Sequence, residues 1–253
     1  MSDAAVEASG GFGSEGAAAR GGFRESRGPA GLVLFASYTG FGALAHDGGW
    51  PIWPSLLSTL TVWALPAQLI MLEMSVAGAP VGAVMFAVLL SCMRFFPMTI
   101  ALLPVLRDAR PGPLRYYVGA QFVAMTCWAA TMRRAPELPR AERLAFFIAF
   151  SVGCMATSWA GTLFGYYGAS SIPAVLRVAL PFLTPLYFLL ILLGELKAPR
   201  DRIALVLGGI AGPLIHTWAP QWSVLVAGLV GGTIAWAIGR TLGPDDPRPG
   251  AAR

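Results

Sequence analysis

Apolar residues in this chain come in long runs, with polar and charged residues gathered between them. The runs are Pro29 to Ala45, Pro54 to Val76, Pro80 to Leu106, Leu114 to Met132, Leu144 to Tyr167, Ile172 to Leu196, Ile203 to Ala219 and Trp222 to Leu242. Most of them reach the roughly 20 residues that carry a helix across about 30 Å of hydrocarbon. The pattern predicts an all-α integral membrane protein, a polytopic bundle of about eight (seven or eight) transmembrane helices.

Several runs contain their own interruptions. The third spans 27 residues, and a continuous helix of that length would measure about 40 Å, more than the hydrocarbon is thick. Pro97, three residues after Arg94, offers a break. In the second run Pro66 lacks an N–H and crowds the preceding turn, so carbonyls near Val62 are released. Such carbonyls are tolerated in a bilayer only where they are buried in protein or line a cavity. An internal echo is also visible: "SYTGFGALA" (37–45) precedes "ALPAQLIML" (64–72), and "SWAGTLFGYYG" (158–168) precedes "ALPFLTPLYFLL" (179–190). Interrupted helices at matching positions of a repeat are a transporter feature, so a repeat is one reading and chance in this composition the other.

The flanks define the domain organisation. Residues 1–28 are rich in Gly, Ala, Ser and Glu without periodicity and read as a disordered cytoplasmic tail. They lack the ordered regions of a cleaved signal. Residues 29–242 form one transmembrane transport domain, and 243–253 a second disordered cytoplasmic tail.

Basic residues cluster before the first run (Arg20, Arg24, Arg27), at 133–143 (Arg133, Arg134, Arg140, Arg143) and at 197–202 (Lys197, Arg200, Arg202). The positive-inside rule then puts both termini in the cytoplasm. Arg107, Arg110 and Arg115 break the rule, because eight crossings place their loop outside; one run that is short or re-entrant would remove the conflict.

Composition supports the membrane reading. Of 253 residues 56% are hydrophobic and 12% charged, and mean hydropathy is +0.64. The net charge of +5 follows from loop arginines and does not indicate nucleic-acid binding. One lysine among 18 basic residues, with abundant Ala, Gly and Pro, suggests a GC-rich bacterial genome, hence a bacterial inner membrane. Cys92, Cys127 and Cys154 lie inside apolar runs and read as packing residues, with no metal site expected.

The candidate chemistry is sparse. Arg94 has about a dozen uncharged residues on either side, so in a spanning helix its guanidinium sits near the midplane, where charge costs roughly 3 kcal/mol or more. It either snorkels to an interface or faces an internal cavity, able to fork onto a substrate carboxylate. Gln68 and Gln121 are the carboxamides within the runs. Pro66 with Gln68 forms either an unwound polar patch or an ordinary kink with an interhelical hydrogen bond.

Glu73 is either interfacial or a counter-ion for Arg94. Tyr38 and Thr39, with Ser158 and Trp159, stand in clusters of small and hydrogen-bonding residues that either pack helices or line a path. No phosphate-binding GxxxxGK[ST] sequence, HExxH, GxSxG or intramembrane carboxylate pair is present, so neither an ATP-driven engine nor an enzyme is expected, and no cofactor.

"VWALPAQLIMLEMSVAGAP" followed by "LLSCMRFFPMTIALLPVLR" resembles the AzlC family of bacterial membrane proteins, associated with branched-chain amino acid export. Gln68, Gly78-Ala79-Pro80 and Arg94 match in order and spacing, and "SWAGTLFGYYG" is similar to the family's Trp-x-x-Gly-Thr segment. The resemblance covers residues 30 to 240. It departs from the family at Cys92 and Phe95, where Asn and His are usual, and at Thr126-Cys127-Trp128, where a Thr-Asp-Glu triplet is usual. It implies a secondary transporter or exporter subunit for hydrophobic amino acids that works with a small AzlD-type membrane partner. Arg94 would hold the carboxylate, Gln68 and freed carbonyls the ammonium, and Met71, Met74 and Trp159 the side chain. The alternative is a non-transporting scaffold or partner subunit.

Overall fold

The computed structural model of the chain describes residues 11–108, 112–195, 199–218, 230–234 and 237. Among them the chain is all-helical, with no strand. The helices are α1 (Glu15–Glu25), α2 (Pro29–Asp47), α3 (Ile52–Thr61), α4 (Leu65–Val76), α5 (Val81–Cys92), α6 (Phe95–Leu106), α7 (Pro113–Ala120), α8 (Met125–Arg134), α9 (Arg140–Gly168), α10 (Ala174–Ala179), α11 (Leu183–Glu195) and α12 (Pro199–His216). The chain divides into two compact units, Met1–Phe188 and Leu189–Arg253, with the boundary inside α11. In the second unit Gly208 of α12 lies against Gly231.

The all-helical expectation holds among the described residues, but several of the apolar runs are broken. The second, third, fourth and sixth runs are each split: α3 and α4, α5 and α6, α7 and α8, α10 and α11. Helices of 6 to 13 residues reach about 9 to 20 Å, two thirds of a hydrocarbon core at most. Among the described residues only Arg140–Ser171 is long and apolar enough to cross a membrane by itself. Two pairs pass that test jointly, α1 with α2, bent by 51°, and α5 with α6, bent by 44°. By length and composition, then, one helix among the described residues, or three if each bent pair is one span, is a membrane span, against about eight apolar runs in the sequence. Most of the eighth run, from Trp222, and the tail at 243–253 lie outside the described residues.

Each break has a local cause. Met93 and Arg94 form a bend between α5 and α6 at the place expected, although Pro97 sits inside α6 rather than at the joint. After α3 the chain turns through Trp63, which has φ +35°, and restarts with Pro66 in the first turn of α4. Pro66 there lacks only a hydrogen bond that no helix start would make. The α4 helix ends on Gly78 with φ +74°. Ala79 N–H reaches Met74 O (2.9 Å) and Gly78 N–H reaches Ser75 O (3.1 Å), the paired bonds of a Schellman stop, and Pro80 opens α5.

Residues 15–25, expected within a disordered tail, form α1. Ser14 Oγ accepts the Ala17 N–H (3.2 Å) and Glu15 stands in the first turn, both favourable at a helix start. The helix lies on α9. Gly22 approaches so closely that a Cβ there would sit 2.6 Å from Phe146 O. Phe12 stacks on Phe146 and donates its N–H to Glu142 Oε2 (2.8 Å). Arg134 pairs with both Glu25 and Glu137, and these hydrogen bonds, Glu25 foremost, raise its pKa above the usual arginine value. Residues 1–10 lie outside the described residues.

At the centre, α2 packs along α9 on glycine. Cβ atoms at Gly42, Gly161 and Gly165 would meet Thr162 O, Phe35 O and Thr39 O at 2.1, 2.4 and 1.9 Å. The two Gly-aromatic segments of the internal echo thus face each other. The first Ala-Leu-Pro triplet opens α4, while the second runs from the last residue of α10 into the turn that leads to α11.

The ends of the split runs also have definite neighbours. Val76, closing α4, lies against Gly48 at the end of α2, so α3 and α4 leave and return at one end of the unit. Arg115 at the start of α7 pairs with Glu15 (3.7 Å), and Arg134 at the end of α8 pairs with Glu25, so both ends of the α7–α8 hairpin meet α1. Arg143, opening α9, donates to Val105 O at the end of α6 (3.3 Å).

Candidate functional site

The tips of the two hairpins meet. The C-terminal carbonyls of α3, released by the break, need donors. Gln121, at the α7–α8 tip, gives its Nε2 to Leu60 O (3.1 Å) and Thr61 O (3.0 Å). Gln68 secures the other side. Fully buried on α4, its Nε2 donates to Ser58 Oγ (2.9 Å) and Thr59 Oγ1 (3.0 Å) of α3, and its Oε1 accepts from Tyr38 Oη of α2 (2.9 Å). Both carboxamide hydrogens are engaged, so Gln68 ties three helices around the break. Trp63, in the left-handed region that a bulky residue rarely adopts, is held by its Nε1–H donating to Ser158 Oγ (3.2 Å).

Around this junction is a cavity of about 200 Å³ lined by Leu34, Tyr38, Trp63, Ala64, Leu65, Pro66, Arg94, Phe95, Ala124, Met125, Thr126, Thr184, Pro185 and Phe188. All lie in the first unit. Three groups of them are helix starts: Ala64 to Pro66 of α4, Arg94 and Phe95 of α6, and Ala124 to Thr126 of α8. None of these three starts has a side-chain cap. The first N–H groups of a helix carry partial positive charge and attract anions.

Arg94 adds a full positive charge. Its guanidinium lies over the Phe95 ring, 5.3 Å from the centroid. Among the described residues no carboxylate is within ion-pair distance of it. Two larger hollows, about 400 and 660 Å³, open where α7 borders α1 and α9 and where it borders α6 and α9. Neither contains Arg94 or the helix starts.

The expected site residues divide accordingly. Arg94, Pro66 and Tyr38 line the cavity; Gln68 and Ser158 brace it from behind. Thr39 bonds to Phe35 O (2.8 Å) on the face of α2 that meets Gly165. Met71, Glu73 and Trp159 are not among the lining residues, and Glu73 and Trp159 are exposed. The apolar wall is instead Leu34, Leu65, Phe95 and Phe188 with Trp63. The sequence reading did not single out Trp63, whose left-handed backbone has no sequence signature. Thr184 was also missed; its hydroxyl donates to Ser37 Oγ (2.7 Å), a pairing between residues 147 apart in the chain. Among the described residues no group of three or more His, Cys, Asp or Glu is placed to hold a metal ion.

Interrupted helices that aim their starts at a polar cavity are a feature of solute carriers of the bilayer. A family model described as AzlC protein matches residues 29–172, more than half of the chain, and the chain belongs to that family. The family is a membrane-associated transport family, linked to branched-chain amino acids, and not an enzymatic one. No curated protein and no solved structure matches the chain.

Proposed function

We propose that the protein is the pore-forming subunit of a secondary transporter in the bacterial inner membrane. It moves a small amphiphilic solute that carries a carboxylate and a branched or otherwise hydrophobic side chain. Hydrophobic amino acids are the first members of that class to test, given the family. The observation that carries the reading is the convergence of Arg94 and three uncapped helix starts on one cavity. A guanidinium forks onto a carboxylate, and helix starts add N–H donors. The volume, about 200 Å³, is below the roughly 300–1,000 Å³ of drug-sized sites and suits a small solute.

The hairpins supply the architecture. We read α2, α5–α6 and α9 as crossings, with α3–α4 re-entrant from one side and α7–α8 re-entrant from the other. Their tips then meet near mid-depth beside Arg94, and the bonds from Gln121 to α3 support this. The reading also returns Arg107 and Arg115 to the same side as Arg133, Arg134, Arg140 and Arg143, as the positive-inside rule requires. Exposed apolar side chains on α5 and α6, including Met85, Phe86, Leu89, Phe96 and Ile100, then face lipid or the small membrane partner with which members of the family work.

The test is flux. Arg94→Ala protein reconstituted in liposomes is expected to lose solute counterflow to background while inserting and eluting as wild type does. Wild-type flux in that variant would reject the assignment.

A further inference from the structure

Resting on the reading of this cavity as the transport site, we propose that its preferred solute is a branched-chain monocarboxylate without an α-ammonium group, such as an aliphatic or 2-oxo acid of leucine size.

The argument is one of charge balance. Among the described residues Arg94 is the only charged one lining the cavity, and none of them is Asp or Glu. The three helix starts add to the same sign. A monoanion entering this space neutralises Arg94 and leaves nothing charged without a partner. A zwitterionic amino acid would satisfy Arg94 equally well but bring its ammonium into the same positive field.

The oxygens nearest the break that could receive an ammonium each already accept one hydrogen bond, and none of them carries a charge. Gln68, the nearest carboxamide, accepts from Tyr38 and has both its hydrogens committed to Ser58 and Thr59. The carbonyls of Leu60 and Thr61 at the break accept from Gln121. The Phe95 ring face, a possible cation platform, is covered by Arg94 itself. Glu73, the acid nearest in sequence to the α4 start, is exposed and not among the lining residues. What the cavity does offer besides positive charge is neutral: the hydroxyls of Tyr38, Thr126 and Thr184, and the apolar wall of Leu34, Leu65, Trp63 and Phe188. The hydrogens of Tyr38 and Thr184 go to Gln68 Oε1 and Ser37 Oγ, which leaves the Thr126 hydroxyl to donate to a 2-oxo group, and the wall fits a branched tail. Selection by such a site is a matter of what it leaves unpaired, and an unpaired buried charge is the most costly item.

The experiment compares four isosteric probes on the purified full-length chain in lipid nanodiscs: leucine, 4-methyl-2-oxopentanoate, 4-methylpentanoate and 3-methylbutylamine. Affinity is read by thermal stabilisation across a concentration series, in wild type and Arg94→Gln. Both acids are expected to bind at least about tenfold more tightly than leucine, the scale of one buried charged group without a partner. The amine should not stabilise, and Arg94→Gln should abolish the response to the acids while its ligand-free melting stays that of wild type. Leucine binding as tightly as the acids would overturn this inference and leave the transport site standing. No response to any of the four by folded wild-type protein would overturn both. Should Arg94→Gln melt differently without ligand, the wild-type ranking of the four probes decides alone.

Discussion

Gln68 shows how a residue chosen for one role can be used for another. A lone carboxamide beside a proline in an apolar run suggests a ligand for a polar solute. In the folded chain it bonds to Tyr38, Ser58 and Thr59 and pins α2, α3 and α4 around the break. Interhelical hydrogen bonds in membranes are worth about 0.6 kcal/mol on average and up to about 1.7. Gln68→Leu, which removes three, should therefore destabilise by roughly 2 kcal/mol. Melting in detergent would register this, and an unchanged melting temperature would mean that the network contributes nothing. Tyr38→Phe, which removes one bond, should cost about a third as much.

Arg94, by contrast, stands out by its position alone. A charge in the middle of an apolar run needs a reason at any depth of a bilayer, and the structure puts it on the one cavity that also collects the helix starts. Met71 and Trp159 were read as its apolar companions because they are nearby in sequence or motif. Helix phase and the break decided otherwise, bringing Leu34 and Phe188 there from residues about 60 and 94 positions away.

At the scale of elements, the glycines on α2 and α9 set how close two helices lie. At Gly165 a methyl would sit 1.9 Å from Thr39 O, a backbone atom that cannot turn aside, whereas at Gly168 it would meet nothing within 4 Å. Overpacking of this kind costs about 1–3 kcal/mol and sometimes more. Gly165→Ala should accordingly lower stability by at least about 2 kcal/mol, and Gly168→Ala should be close to neutral. Melting of the two variants side by side checks this, and equal values would mean that the helices are not in contact there. The α1 helix is an element that composition concealed. Its sequence is poor in large apolar residues, but Gly22 lets it approach α9 where a bulkier residue could not, and Gly21 leaves room for the Phe12 ring.

For the whole molecule, the proposed re-entrant reading of α3–α4 and α7–α8 gives a different membrane topology from the count of runs. Counting runs makes every one a crossing, which leaves Arg107 and Arg115 on the wrong side. With α7–α8 re-entrant they move to the side of Arg133 and Arg134. Single cysteines at Gly112 and Glu137 should then react with an impermeant thiol reagent from one face of the membrane, and a cysteine at Gly49 only from the other. Native Cys127 and Cys154 are buried and would not interfere, while half-buried Cys92 would first be replaced by serine. Labelling of Gly112→Cys and Glu137→Cys from opposite faces would restore the crossing and remove the proposed meeting of tips.

By itself the sequence determined the helical structure of the described residues, the apolar runs, the interruption at Pro66 and the isolation of the Arg94 charge. These follow from local quantities: hydropathy, the missing N–H of proline, and the cost of an isolated charge. Only the tertiary structure decided where the runs break into two helices, that Gln121 caps the broken end of α3, and that the starts of α4, α6 and α8 line one cavity. Those outcomes depend on contacts between segments tens of residues apart. Periodicity and composition report what a segment will bury, and they carry no information about which distant segment will bury it.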